Sequence, residues 1–352
     1  MRVKVIPGRS VESALAEAWN ELRQSNPELA SPCFAPEFTQ AVAAAREDVE
    51  IGIVWEGEQV VAIFPFQRRP NSRGIPVGGI VSDYQGLVCR PGFTCDPREL
   101  LRECRLIAWD FDRLLASQAP LKPFHEFCEP SALMDLSGGF EAYAAERRAS
   151  GSEQIKKCRS LMRRMEREIG PMRYVGHSTE VKLLNQVLAW KSGQYRKSGW
   201  RDLFALKWGR SLVQRIHASQ SEGCAGRLSL LFAGDRLVAG HIGMRSQTVW
   251  HYWFPAYEPR FAKYSPGLIL LLKMAAEAPV LGLNTIDLGT GISLYKDRLM
   301  NASVSVAEGS VERFSGLWLR RAARRKLRSL VAGTVLAGPM RRLLQRARGE
   351  SE

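Results

Sequence analysis

The 352-residue sequence has no run of eighteen apolar residues, so nothing in it reads as a helix that crosses a membrane. Its opening, "MRVKVIPGRSVESALAEAW", lacks the apolar centre of a secretion signal, and the expected location is the cytoplasm, with membrane association left open. The seven cysteines, at 33, 89, 95, 104, 128, 158 and 224, form no CxxC pair and share no zinc spacing with histidine. They read as reduced thiols, most of them small apolar fillers. None of the five histidines falls in an HxH or HxxxH pair, so no metal is expected. A GxSxG elbow is missing, which excludes a serine hydrolase of that type. Gly289-Thr290-Gly291 lacks the third glycine of a dinucleotide fingerprint, and no Gly-Lys-Ser/Thr follows to make a phosphate loop.

What is present is a chain 45% hydrophobic and 24% charged, long enough for two soluble domains of ordinary size. Its net charge of +14 is concentrated: residues 313–349 carry eleven Lys and Arg and no acid. That tail includes Leu317, Trp318 and Leu319 ahead of its arginine clusters. It suits a helix lying at an anionic membrane surface, with nucleic acid ranked last among its partners.

"VEIGIVWEGEQVVAIFPFQRR" (49–69) reads as a hairpin turning at Glu56-Gly57, and "LSLLFAGDRLVAGHIGMR" (228–245) as a second turning at Gly234-Asp235. Superposed, Trp55 meets Phe232, Gly57 meets Gly234 and Glu58 meets Asp235, which points to one unit used twice. Helical patterns at Val11 to Gln24 and Pro36 to Arg46 precede the first hairpin. A long helix from Phe140 to Ile169, a strand "MRYVGH", and helices near Val181 to Arg196 and Trp208 to Ser221 precede the second. Then come a strand "TVWHYWFPAY", a helix "SPGLILLLKMAAEAP", a buried strand "NTIDL", a short helix "ISLYKDRL" and a closing strand or hairpin. The boundaries expected are a first unit at 1–135, a second at 136–312 and a basic helical tail at 313–352. The fold class is α/β, with mixed, mostly antiparallel sheets flanked by helices.

Several residues are candidates for chemistry, each with a plainer alternative. Ser265, Pro266 and Gly267 start a helix whose free N–H groups could take a phosphate, with Arg260 and Lys263 upstream; a helix cap over a core helix is the plainer reading. The corner "IDLGTGISLYKDRL" (286–299) sets Asp287 at a strand end, a glycine exit, and Tyr295 and Lys296 about 100° apart on a helix. A tyrosine hydroxyl can protonate a leaving thiolate and a lysine can hold an anion, but the corner reads equally well as a structural turn. His241 and His251 lie on successive strands, where one of them could serve as a base and a structural role is the commoner fate. The basic helix carrying Lys156, Lys157, Arg159, Arg163 and Arg164 could hold an anion, or be a solvated face paired with Glu166 and Glu168.

Five stretches in order, "SPCFAPEFTQAVAAAR", "FPFQRR", "WKSGQYRKSGWRDLF", "KYSPGLILLLKMAAEA" and "IDLGTGISLYK", carry a resemblance over residues 31–312. The chain resembles the GNAT acyltransferase fold, used in tandem, and more closely the FemAB-like, CelD-type acetyltransferases of bacterial polysaccharide loci. The resemblance implies acetyl-CoA as co-substrate, with its pyrophosphate at Lys263, Ser265, Pro266 and Gly267 and its pantetheine between the strands of Tyr252 and Asp287. It implies Tyr295 as proton donor, Lys296 or Asp287 positioning a sugar acceptor, and His241 as base. The sequence departs from the family's phosphate signature, since only Gly267 of a glycine pair is present. Fem-type transferases, which use aminoacyl-tRNA, have a lysine where Lys296 stands, so aminoacyl transfer is an alternative. So is a non-catalytic accessory protein docked to a membrane polysaccharide machine. The first unit is expected to be degenerate.

Overall fold

The computed structural model describes residues 2–314 apart from Ile292. The expected basic helical tail therefore lies outside the described residues except for Arg313 and Phe314. The first half runs β1 (Arg2–Pro7), α1 (Ser13–Gln24), α2 (Pro36–Ala45), β2 (Val49–Glu56), β3 (Gln59–Arg69), β4 (Arg73–Ile75), β5 (Val88–Cys89), α3 (Pro97–Glu103), β6 (Ala108–Leu115) and β7 (His125–Asp135). The second half runs α4 (Phe140–Ala149), α5 (Gln154–Glu168), β8 (Met172–Val175), α6 (Val181–Lys197), α7 (Lys207–Ala218), β9 (Ala225–Ala233), β10 (Arg236–Arg245) and β11 (Val249–Tyr257). It ends with α8 (Pro266–Glu277), β12 (Thr285–Gly289), α9 (Leu294–Leu299) and β13 (Ala302–Glu312).

The strands form a single sheet in the order β1-β2-β3-β4-β6-β13-β7-β12-β11-β10-β9-β8, with β5 paired to β3. Read outward from the β13–β7 contact, the two sides match: β6 answers β12, β4 answers β11, β3 answers β10, β2 answers β9 and β1 answers β8. Each side has one parallel pair at the same place, β4 with β6 and β11 with β12, in an otherwise antiparallel arrangement. Both hairpin turns use a glycine with positive φ, Gly57 at 59° and Gly234 at 56°, as a tight turn requires. The duplication seen in the two hairpins thus extends to the whole architecture.

The strands at the centre cross between the halves. β7 ends the first half yet pairs with β12, while β13 ends the second half and pairs with β6. The boundary expected at residue 135 falls where the chain passes from one half to the other but does not separate two sheets. One apolar core is likewise shared: Trp19, Phe34 and Phe38 of the first half cluster with Leu184, Phe204, Leu212 and Phe254 of the second. A second core, with Tyr264, Ile269, Leu270 and Ile286, lies under α8, and a third, with Phe64, Phe66, Trp109 and Phe111, fills the first half together with Ala307 and Val311 of β13.

The expected helix from Phe140 to Ile169 is two helices. Gly151 takes a φ of 83° and receives the end of α4, with its N–H and that of Ser152 donating to Arg148 O and Arg147 O at 3.0 Å each. This is a left-handed glycine cap, which the helical periodicity on either side conceals. On α5 the apolar stripe of Ile155, Cys158 and Met165 is buried. Its cations face outward, Arg164 bonded to Glu168 at 2.7 Å and Lys156 near Glu153 at 3.3 Å, which is a solvated face. Among the described residues no helix is long and apolar enough to cross a membrane.

Two glycines test this packing with opposite signs. A Cβ at Gly309 on β13 would stand 2.1 Å from Phe124 O and 2.9 Å from the Phe111 ring, so Gly309→Ala must move backbone. Gly309→Ala is expected to lower stability in urea by about 1–3 kcal/mol, the range for overpacking. Gly193 inside α6 has open space at its Cβ position, and Gly193→Ala is expected to raise stability by about 0.5–1 kcal/mol.

Candidate functional site

The parallel pair β11–β12 is short. Its register is Val249 with Thr285, Trp250 with Ile286 and His251 with Asp287, and there it stops. β11 continues to Tyr257, while β12 ends at Gly289. Beyond His251 and Asp287 the strands are no longer paired. The result is a V whose vertex is a buried histidine beside a buried aspartate, each no more than 1% exposed.

A second carboxylate comes from the other half of the molecule. Segment 79–86 of the first half crosses toward the V, and Trp253 Nε1 on β11 donates to Val81 O at 2.9 Å. Asp83 on this segment places Oδ2 3.0 Å from His251 Nε2, and Asp287 Oδ2 lies 3.3 Å from His251 Nδ1. Neither imidazole nitrogen has an aligned hydrogen-bond partner among the described residues. Burial opposes a charge on His251, and the two carboxylates overcome it, keeping the ring protonated well above the usual imidazole range. Burial likewise opposes the Asp83 charge, but His251, Arg113 and Lys296 bring its pKa down to about 2. The vertex is an imidazolium between two carboxylates.

The glycine corner is built around this group. Asp287 Oδ1 accepts from Gly289 N at 2.8 Å, and Gly289 turns the chain with a φ of 73°. A Cβ at Gly289 would stand 3.0 Å from Asp83 Oδ2, so the glycine also admits the neighbouring half. Lys296 donates to Gly289 O at 3.2 Å and to Thr290 O. Arg113 on β6 reaches Thr290 Oγ1 at 3.3 Å and Asp83 Oδ1 at 3.5 Å. The expected site lysine thus closes the corner; both its carbonyl contacts are local.

Tyr295 on α9 is near enough to Tyr252 on β11 to raise its pKa further, after burial. Burial pushes the Tyr295 hydroxyl up to about 12, so it is protonated at neutral pH. Tyr252 donates to Gly267 O at 3.3 Å, which ties β11 to the start of α8. At that start Ser265 has a φ of 51° and gives no side-chain cap; its carbonyl accepts from Leu268 N at 3.0 Å and Ile269 N at 3.2 Å, and Pro266 has no N–H, so the first-turn amide left for another acceptor is that of Gly267. A Cβ at Gly267 would meet only Tyr257, at an ordinary 3.7 Å, so the approach is open. Pro266 is buried in the first turn. The nearby cations are already engaged: Lys263 Nζ lies 3.3 Å from Glu168, and Arg260 Nε 3.7 Å from Glu258.

His241 does not stand as a base. It is fully buried, its Nε2 accepts the Trp253 N–H at 3.1 Å, and its ring stacks on Tyr252 at 4.6 Å. The acceptor nitrogen is consumed by the main chain at a bulge where β10 shifts register between Ile242 and Met244. Burial then holds His241 neutral, its pKa well below the usual value. The residues that sequence reasoning missed are Asp83, Arg113 and Lys191, and it weighed His251 without selecting it. Lys191 sits inside "WKSGQYRKSGW", and its signal was a lysine among the apolar positions of a helix. Among the described residues no group of three His, Cys, Asp or Glu is placed to hold a metal.

The triad makes stability depend on pH in a stated direction. His251 has a folded pKa above its unfolded value of about 6.5, so its contribution is complete below that and is lost as pH rises through the folded value. Asp83 is depressed, so its contribution holds above about 3.9 and is lost as pH falls toward about 2. Urea unfolding of the native chain should therefore show declining stability from about pH 6.5 upward. His251→Gln should abolish that slope and cost roughly 3–5 kcal/mol at neutral pH, because two carboxylates lose their partner. A native profile flat across this range would refute a charged His251.

Residues 152–297 match the acetyltransferase (GNAT) domain family, a stretch from α5 to the corner bearing Tyr295 and Lys296. No curated protein matches the sequence. Among solved structures, FemX superposes with a TM-score of 0.58 at 10% identity, covering 92% of this chain and 99% of that one. The DUF2156 domain of an Agrobacterium fabrum protein described as a lysylphosphatidylglycerol synthetase gives 0.54 at 10% identity, covering 90% and 95%. A tandem GNAT protein from the clavulanic acid biosynthesis pathway gives 0.49 at 11% identity, covering 88% and 98%. At such identities the likeness is one of fold.

Proposed function

With a GNAT-type acyltransferase domain over residues 152–297, we propose that the chain transfers an acyl group, acetyl for preference, directly from acyl-CoA to an amine or hydroxyl. The acceptor we propose is a sugar or other cell-envelope or polysaccharide precursor. The observation that carries the reading is the V between β11 and β12, with an open helix start at one end and the protonated Tyr295 hydroxyl beside it. In this reading the pyrophosphate lies at the α8 start formed by Ser265, Pro266 and Gly267, where the Gly267 N–H and the helix dipole face it, and pantetheine lies against Tyr252. Lys263 would exchange Glu168 for phosphate, an easy exchange for an exposed pair.

The transfer balances with one tyrosine. The acceptor nitrogen or oxygen attacks the thioester carbonyl carbon, a C–N or C–O bond forms and the C–S bond breaks. The Tyr295 hydroxyl gives its proton to the leaving sulfur, and the resulting phenolate takes the proton that the acceptor loses. The raised pKa keeps the hydroxyl protonated beforehand and makes its anion a strong base, while making it a weaker acid toward the leaving sulfur. Lys296 and Asp287 hold the corner so that Tyr295 faces the V, and act as positioning residues. Orientation of the two substrates supplies the rest of the acceleration. The first half takes no donor in this reading. Its own parallel pair is crossed by Gln85, whose Oε1 accepts from Asp112 N at 3.1 Å and Arg113 N at 3.0 Å. The tail at 313–349 would place the enzyme at an anionic membrane without inserting into it.

A second reading, aminoacyl transfer of Fem type, is favoured by one observation, the pairing of Lys263 with Glu168 at the α8 end of the V. The two are separated by calorimetry with acetyl-CoA and by transfer assays with acetyl-CoA against aminoacyl-tRNA. Heat with acetyl-CoA, and turnover lowered about 10²–10⁴-fold in Tyr295→Phe with that heat unchanged, is the expected result. Absence of heat with the native protein rules out acetyl-CoA as donor. Loss of binding in Tyr295→Phe makes α9 purely structural.

A further inference from the structure

Helix α6 places its core-facing residues at Leu184, Val187 and Leu188, spaced as one stripe, and that stripe packs on β10 and β11. The next positions on the same stripe are Lys191 and Tyr195. An ammonium thus stands where the pattern calls for an apolar side chain. Tyr195 is fixed by Phe204 at 5.9 Å, and Phe204 by Phe254 on β11 at 5.1 Å. Lys191 Nζ lies 5.4 Å from the centre of the Tyr195 ring, with the stem half-buried.

No carboxylate or carbonyl among the described residues is paired with this ammonium, and the charged neighbour acting on it is Lys296, which repels it. The acids of the site are all committed elsewhere: Asp83 and Asp287 to His251, and Asp83 and Asp112 to Arg113. Burial, with Lys296 behind it, lowers the Lys191 pKa to about 8. A cation kept in a poorly solvated place without a partner is stable when an anion arrives.

We propose that Lys191 is the anion-recognition residue of the acceptor site, and that the acceptor carries a carboxylate or phosphate next to the group that is acylated. The proposal rests on the acyltransferase reading, which supplies the acceptor. It adds a class: the acceptor is acidic. The Tyr195 ring faces the ammonium at 5.4 Å, and Lys296, already bonded to Gly289 and Thr290, adds charge nearby.

The full-length protein is treated briefly with an amine-acetylating ester near neutral pH, and modification at each lysine is read by peptide mass spectrometry. Lys191 should react readily near neutral pH, because burial lowers its pKa to about 8. Millimolar pyrophosphate or glutarate should then slow Lys191, about tenfold for each pKa unit by which the bound anion raises it, whatever pyrophosphate does at Lys263. Protection by pyrophosphate only assigns a phosphate acceptor, and by glutarate only a carboxylate. No protection, or equal protection by sodium chloride at matched ionic strength, overturns the proposal. Equal protection by acetyl-CoA overturns it also, since Lys191 would then belong to the donor side. Lys191→Met, which restores the apolar stripe, should fold with unchanged or higher stability and give the native heat with acetyl-CoA. Because that heat is measured without an acceptor, failure of the donor reading and failure of the Lys191 assignment are distinguishable.

Discussion

The exchange of closing strands governs everything else in this molecule. β13 needs β6 and β7 for its hydrogen bonds, and β7 needs β13 and β12, so the backbone polar groups at the centre of the sheet are satisfied only when both halves are in place. Neither half offers a separable edge there. The shared core of Trp19, Phe38, Phe204 and Phe254 fixes the same relation through apolar packing. A loop of one half can therefore be positioned to within a hydrogen-bond length against a strand of the other. This rigidity allows Asp83, from the first half, to share His251 with Asp287.

A buried ion triad is a poor way to gain stability. Removing three charges from water costs several kcal/mol for each, and an apolar trio of the same volume is often as stable or more so. Its value here is positional. At the vertex of the V, the backbone of β11 must leave the backbone of β12 while both stay in the sheet. The charge attraction closes the vertex at one residue pair, His251 and Asp287, and the acceptor nitrogen of His241 takes the Trp253 N–H that the bulge frees. Two histidines of one sheet thus do opposite things, one charged and pinned by acids, the other neutral and bonded to backbone.

Which parts of this were legible in the sequence follows from the range of the forces involved. Strand alternation around Gly57 and Gly234, the Pro266 helix start and the Thr285–Gly289 strand are local signals, and the structure has each of them. The α4–α5 break escaped because its signal is one glycine in a continuous helical pattern, and only the left-handed φ of Gly151 reveals it. His241 and His251 look alike in sequence; register decides between them, and a one-residue bulge sets the register. Asp83 lies in "SDYQG", far from β11 in the chain and without a motif of its own, so only the tertiary fold could bring it to the site. Lys191 was within reach, since Leu184, Val187 and Leu188 predict the position it breaks.

The two ends of the cleft treat positive charge differently, and this bears on where selectivity resides. At the α8 end Lys263 and Arg260 are exposed, each faces a glutamate, and solvent screens both pairs. Such cations can turn to a phosphate or back at little free-energy difference, so a donor bound there as proposed would be held without strong discrimination. At the inner end Lys191 has given up part of its hydration and has received no counter-charge. A neutral group placed there leaves the ammonium as poorly satisfied as before, whereas an anion satisfies it in a setting of low polarisability, where a single ion pair is worth more than at the surface. Discrimination among ligands is greatest where the unliganded protein is least satisfied. By that argument the choice of acceptor is made at α6, next to strands that the first half of the chain holds in place.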